Sequence, residues 1–216
     1  MRVMKETAVT AAPAHLVPPA AVPPPAVPPP APGAERHLAL DFANSALVQP
    51  GGRLDLLESP AAAAQWLVDR DLAPVGAGLQ EVCAARLRAF REQVRALLSS
   101  RIAALAAPPE ALAAVNEALT SVPSAPLLLW DEVHGLHRAQ PHPTDRVVDR
   151  ALAVLAADAA DLLTGPDAEL LAACGSAPCT RHLLRTHAAR HWCSVRCGDR
   201  ARAARAYARR SQAKAD

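Results

Sequence analysis

Four of the chain's five cysteines fall within twenty-four residues, as Cys174-x4-Cys179, a thirteen-residue excursion, and Cys193-x3-Cys197. Two close pairs joined by a short loop are what tetrahedral coordination of one ion needs, each pair forming a turn that clamps one side of the metal. Gly175, Pro178 and Gly198 beside the sulfurs suit such turns. Four thiolates on Zn²⁺ leave a formal charge of about −2, and Arg190, Arg196 and Arg200 are expected to offset it. Two disulfides, or unrelated core cysteines, are the competing arrangements, and neither explains a pair at each end. An iron–sulfur cluster is the other group that a Cys₄ set can hold. A closed shell of four sulfurs leaves no position for water, so the predicted ion is structural rather than hydrolytic. His182, His187 and His191 lie between the pairs and are read as surface or phosphate-facing residues. Trp192 is expected to pack over the metal turn, with base stacking as the alternative. Cys83 stands apart and reads as a buried thiol on a helix.

Positive charge gathers in the same stretch. From Arg181 onward there are ten Lys or Arg against two Asp, while the preceding 180 residues hold thirteen basic and nineteen acidic side chains. An acidic body with a basic tail points to a polyanion partner. "GDRARAARAYARRSQAKAD" reads as a helix with Asp199 as its N-cap. At about 100° per residue, Arg202, Arg205 and Arg209 share one outward face. Arg200 and Tyr207 fall on the other side and are expected to pack back on the cysteine module. With Arg190, Arg196 and Arg210, the outward row suits phosphate contact and guanine readout.

The elements that must position this module are mostly helical. Residues 1–34 contain ten of the 21 prolines and predict an extended, disordered arm, a spacer or a ligand for a proline-binding groove. Residues 35–168 are predicted to form a helical domain. Its "LALDFANS" stretch alternates Leu38, Leu40 and Phe42, with Asp41 and Asn44 read as local caps. Ser59 and Pro60 open a short helix. Val82, Leu87, Phe90, Val94, Leu97 and Leu98 line one side of a long one. Another restarts after Pro108–Pro109, and a last one runs from a cap at Thr144 or Asp145 to Gly165–Pro166. Between the last two, "APLLLWDEVHGLHRAQ" predicts a β-hairpin. Residues 169–216 form the cysteine module and its basic helix. The fold class expected is therefore mainly α: a helical N-terminal domain with a small β-hairpin, then a small Cys₄ zinc finger ending in a basic helix.

Taken together, Cys174, Cys179, "WCS" at 192–194 and "CGDR" at 197–200 before an Arg-rich helix resemble the CGNR zinc finger. "LALDFANS" at 38–45, "WL" at 66–67, "LRAFREQVRALL" and "VNEAL" at 115–119 resemble the helical ABATE domain that precedes it in bacterial proteins. The resemblance implies a transcription regulator whose four cysteines bind zinc and whose finger contacts DNA. Asp199 departs from it, standing where the namesake motif has Asn. No nucleophile–base spacing, phosphate-binding glycine loop or HExxH motif is present, so no enzyme is expected. The early residues mix basic side chains with Glu6 and run into prolines, predicting neither a secretory leader nor a membrane span. The sequence predicts a cytoplasmic DNA-binding regulator whose helical domain dimerises or senses a small effector. An interaction adaptor stapled by zinc and a thiol-redox sensor are the other readings.

Overall fold

Ala, Leu and Val at three- and four-residue spacing bury apolar surface most readily as packed helices. The computed structural model describes residues 27–50, 52–122, 127–139 and 146–214. In chain order its elements are α1 (Leu38–Ala43), β1 (Ala46–Gln49), β2 (Gly52–Asp55), α2 (Pro60–Val68), α3 (Glu81–Ile102), α4 (Pro109–Thr120), β3 (Leu127–Asp131), β4 (Gly135–Ala139), α5 (Val147–Thr164), β5 (Leu171–Ala173), β6 (His182–Leu184) and α6 (Val195–Gln212). A 3₁₀ turn over Pro166–Leu170 joins α5 to β5. The architecture is mainly α, with three separate antiparallel ladders, β1–β2, β3–β4 and β5–β6. The expected hairpin is β3–β4, in register Leu127↔Ala139 through Asp131↔Gly135. Residues 1–26 of the expected arm, and the expected cap at Thr144 or Asp145, lie outside the described residues.

Helices α3, α4 and α5 pack on one another, and α1 packs against α3 and α5. Three of the six aromatic residues meet inside this core, with the Phe42 ring 5.4 Å from Trp66 and 6.1 Å from Phe90 between centroids. Ser59 caps α2 by accepting from the Ala62 N–H at 3.2 Å, with Pro60 in the first turn. Val82 departs from expectation and is exposed. The buried stripe of α3 runs through Ala84, Leu87, Arg91, Val94 and Leu98, and Val82 lies about 200° around the helix from Ala84.

Alternation at Leu38, Leu40 and Phe42 ends in a helix because tertiary partners secure its start. The Asp158 carboxylate accepts from the Ala39 N–H at 2.7 Å. His37 is held between Asp158 at 3.3 Å and Asp167 at 3.0 Å. Asp41 is no local cap; it pairs with Arg70 at 2.5 Å, whose guanidinium lies 4.1 Å from the Trp66 ring centroid.

Arg91 sits in the core stripe itself. It is buried and bonds Asp55 through both terminal nitrogens, at 2.6 and 2.8 Å, and Ser45 Oγ at 3.2 Å. Burial alone would raise the Asp55 pKa, but the Arg91 hydrogen bond, the Leu57 N–H and nearby positive charge outweigh it and hold the carboxyl below its usual range. Removing one partner strands the other charge. Asp55→Ala is therefore expected to cost about 3 kcal/mol of stability, read as a lower urea midpoint with an unchanged slope.

Candidate metal centre and nucleic-acid interface

The cysteine module is built on the β5–β6 ladder, whose ends bring the first pair into place. The Cys174 N–H donates to the Arg181 carbonyl at 2.9 Å, and Cys179 closes its turn on the Ser176 carbonyl at 2.9 Å. Gly175 ties the first knuckle to the second by donating to the His191 carbonyl at 2.9 Å, and a Cβ there would crowd that carbonyl at 3.3 Å. The second pair is arranged differently from the two-turn expectation. Ser194 is the N-cap of α6, its hydroxyl accepting from the Cys197 N–H at 3.2 Å. Cys197 thus lies in the first helical turn. Asp199 is consequently inside α6, not its cap; it is exposed and pairs with Arg202 at 2.6 Å.

All four sulfurs lie within 4.8 Å of one another, with Cys179–Cys193 at 3.7 Å and Cys193–Cys197 at 3.6 Å. Sulfurs at the corners of a tetrahedron around zinc, each about 2.3 Å from the ion, are about 3.8 Å apart. The set therefore fits one structural zinc ion. As bare thiols Cys174, Cys179 and Cys193 cannot all ionise. Hydrogen bonds from Cys179 and Cys193 pull the Cys174 thiol far down, and those same bonds push Cys179 and Cys193 up. A divalent cation removes that conflict by holding every sulfur as thiolate.

Donors around the sulfurs suit that charge. The Cys193 N–H points at Cys174 Sγ at 3.4 Å, Arg200 Nη2 at Cys197 Sγ at 3.2 Å, and Arg181 Nη1 at Cys193 Sγ at 3.8 Å. Arg200 also donates to the Ala177 and Ser176 carbonyls at 2.9 and 3.1 Å, which pins α6 to the first knuckle. The guanidiniums that reach sulfur are therefore Arg181 and Arg200. Arg190 and Arg196, expected to offset the same charge, make no hydrogen bond to sulfur among the described residues; Arg196 is exposed and lines a cleft with Cys179, Cys193 and Cys197.

Beyond Gly198 no residue of α6 is buried. Eighteen residues make a rod about 27 Å long. It carries Arg196, Arg200, Arg202, Arg205, Arg209 and Arg210 against a single acid, Asp199. Arg202, Arg205, Arg209 and Arg210 are all exposed. Trp192 lies at the root of the rod with Arg202 and Arg205 guanidiniums 5.6 and 5.5 Å from its ring centroid. Gly198 allows this, since a Cβ there would stand 3.2 Å from the indole. Tyr207 does not pack back as expected: it is 68% exposed, because the rod has by then left the finger surface.

Residues 36–166, more than half of the chain, match the model of the ABATE family, described as "Putative stress-induced transcription regulator", and residues 171–210 match the CGNR zinc finger. The chain belongs to the ABATE family. No curated protein matches it. Among the described residues no helix is long and apolar enough to cross a membrane.

The ABATE body grips the CGNR finger through Asn44, which the sequence offered only as a local cap, and through Arg95, which it did not single out. Asn44 brackets β6 with both ends of its amide, donating to the His182 carbonyl at 2.9 Å and accepting from its N–H at 2.8 Å. Arg95 donates to the carbonyls of Ala43 at 2.6 Å and Thr180 at 3.0 Å. Leu183 packs in the finger's small core and Leu184 in that of the ABATE body. Pro29 to Gly33 join the finger as well: Arg181 donates to the Pro29 carbonyl, the Leu184 N–H to that of Pro32, each at 2.8 Å, and Ala31 is buried among the cysteines. Gly33 adopts φ +94° directly against Leu184, where a side chain has no space.

His182 is neither a surface residue nor a phosphate contact. It is buried, with Nε2 3.2 Å from Ser99 Oγ and Nδ1 without a partner. Burial, and then the Arg95 charge, lower its pKa from 6.5 to about 4. Between those values the unfolded chain takes up a proton that the folded chain refuses. Stability is thus full above pH 6.5 and falls as pH drops toward 4, by at most about 3 kcal/mol. Thermal melts of wild type and His182→Gln between pH 7.5 and 5 are expected to show the steeper acid loss in wild type.

Proposed function

We propose that this ABATE protein is a DNA-binding transcription regulator in which the zinc-anchored α6 is the contact element. The observation that carries this reading is a helix fixed at one end by a metal centre, otherwise uncovered, and cationic along its length. Zinc sets the direction of the rod, Arg202, Arg205 and Arg209 present guanidiniums on one face, and Arg210 extends the row. Such a row suits duplex phosphates, and guanidiniums that reach base edges read guanine. Arg190 and Arg202 line a groove of about 240 Å³ beside Trp192 and Ser194, at the positive end of α6, a second place for a phosphate. The ABATE body serves as the sensing or dimerisation part, acting on the finger through Asn44 and Arg95. In this reading the protein works in the cytoplasm, and no catalytic role is assigned.

Titration of zinc-loaded protein with genomic duplex fragments at several salt concentrations tests the reading. Binding that weakens steeply with salt supports it, whereas absent or salt-insensitive binding favours the adaptor.

A further inference from the structure

The β3–β4 hairpin carries apolar side chains that the described chain leaves in solvent. Its register puts Leu128, Trp130, Leu136 and Arg138 on one face. The three apolar members are 66%, 69% and 69% exposed, and Val133 in the turn is more so. A lone two-stranded hairpin is marginal in water, and a dense apolar patch of this kind marks an interaction surface.

Charge along the hairpin selects the partner. Asp131 and Glu132 stand at the tip and Arg138 at the base, opposite Leu128. Asp131 is engaged by His134 at 3.1 Å. Glu132 and Arg138 are exposed, and neither has an ion-pair partner among the described residues. The surface is thus acidic at one end, apolar in the middle and basic at the other. Such a pattern is complementary to its own reverse.

We propose that this face is a homodimer interface, in which two copies pack their hairpins antiparallel about a two-fold axis near Trp130 and Leu136. Antiparallel packing sets Arg138 of each copy against Glu132 of the other, whereas parallel packing sets like charges together. Tryptophan at the middle of a small isologous interface supplies the dominant anchor. The arrangement does not depend on the DNA-binding reading.

Sedimentation velocity of the full-length, zinc-loaded chain over a dilution series tests it. Wild type is expected to reach twice the mass of the chain. Trp130→Lys is expected to raise the dissociation constant at least about thirtyfold, with circular dichroism and zinc content unchanged. Glu132→Arg and Arg138→Glu are each expected to weaken the dimer, and the double exchange to restore it. This set decides the matter even if Trp130→Lys fails to fold. A chain that stays monomeric, a dimer indifferent to these exchanges, or association that continues past two copies overturns the proposal.

Discussion

Removing zinc from the reduced protein is expected to melt the finger, including the first turn of α6, while α3, α4 and α5 stay folded. The finger's own core comprises Ala31, Leu183 and three of the metal-binding cysteines. Without the ion those cysteines lose the bonds that tie the two knuckles together, and apart from them only Ala31 and Leu183 are buried in that core. Structural zinc supplies an apparent 10–16 kcal/mol or so in isolated fingers, comparable to about 5–15 kcal/mol for the stability of a whole domain. The loss therefore exceeds anything Leu183 and Ala31 can replace. By contrast, the buried residues of α3, α4 and α5 belong to a separate and larger cluster. Hydrogen exchange with and without a chelator checks this: protection should vanish at β6 and α6 and persist in α3. Cys193→Ser should reproduce the apo pattern, and Cys83→Ser should leave zinc content unchanged.

Arg202→Ala and Arg205→Ala are each expected to flatten the salt dependence of duplex binding by about one unit in the logarithmic slope, because each removes one released counterion. The double variant should lose about two, since both side chains are exposed on the same face of α6. Arg200→Ala should behave differently. Its guanidinium holds the Ala177 and Ser176 carbonyls and a sulfur, so its loss should loosen the metal centre before it alters the slope. Asp199 gives a test of opposite sign. It holds Arg202 at 2.6 Å and adds a negative charge to the rod, so Asp199→Asn should tighten duplex binding a few-fold and steepen the slope. Fluorescence anisotropy with a labelled duplex between about 50 and 300 mM salt reads all five variants.

The metal centre was legible because its ligands come as two pairs close in the chain, and coordination constrains such spacings directly. The helical body and the β3–β4 hairpin were legible from periodicity and from the break between apolar runs. The start of α6 was misread at Asp199 because Ser194, the actual cap, follows a cysteine that drew attention as a ligand. The signal was present: a serine three residues before Cys197, the spacing of a capping hydroxyl and its N–H. Arg91 was hidden because arginine on a helix ordinarily faces solvent, and only its place between Leu87 and Val94 in the stripe reveals otherwise. The joints between body and finger carry no local pattern at all. Asn44 meets His182 and Pro32 meets Leu184 across more than a hundred residues, and a proline-rich stretch gives no periodicity from which to infer docking.

Zinc K-edge absorption on protein purified under reducing conditions, combined with metal analysis, tests the central claim most directly. One zinc per chain surrounded by four sulfurs at about 2.3 Å is the predicted result. A chain without stoichiometric metal, or a shell in which nitrogen or oxygen replaces any of the four sulfurs, contradicts it.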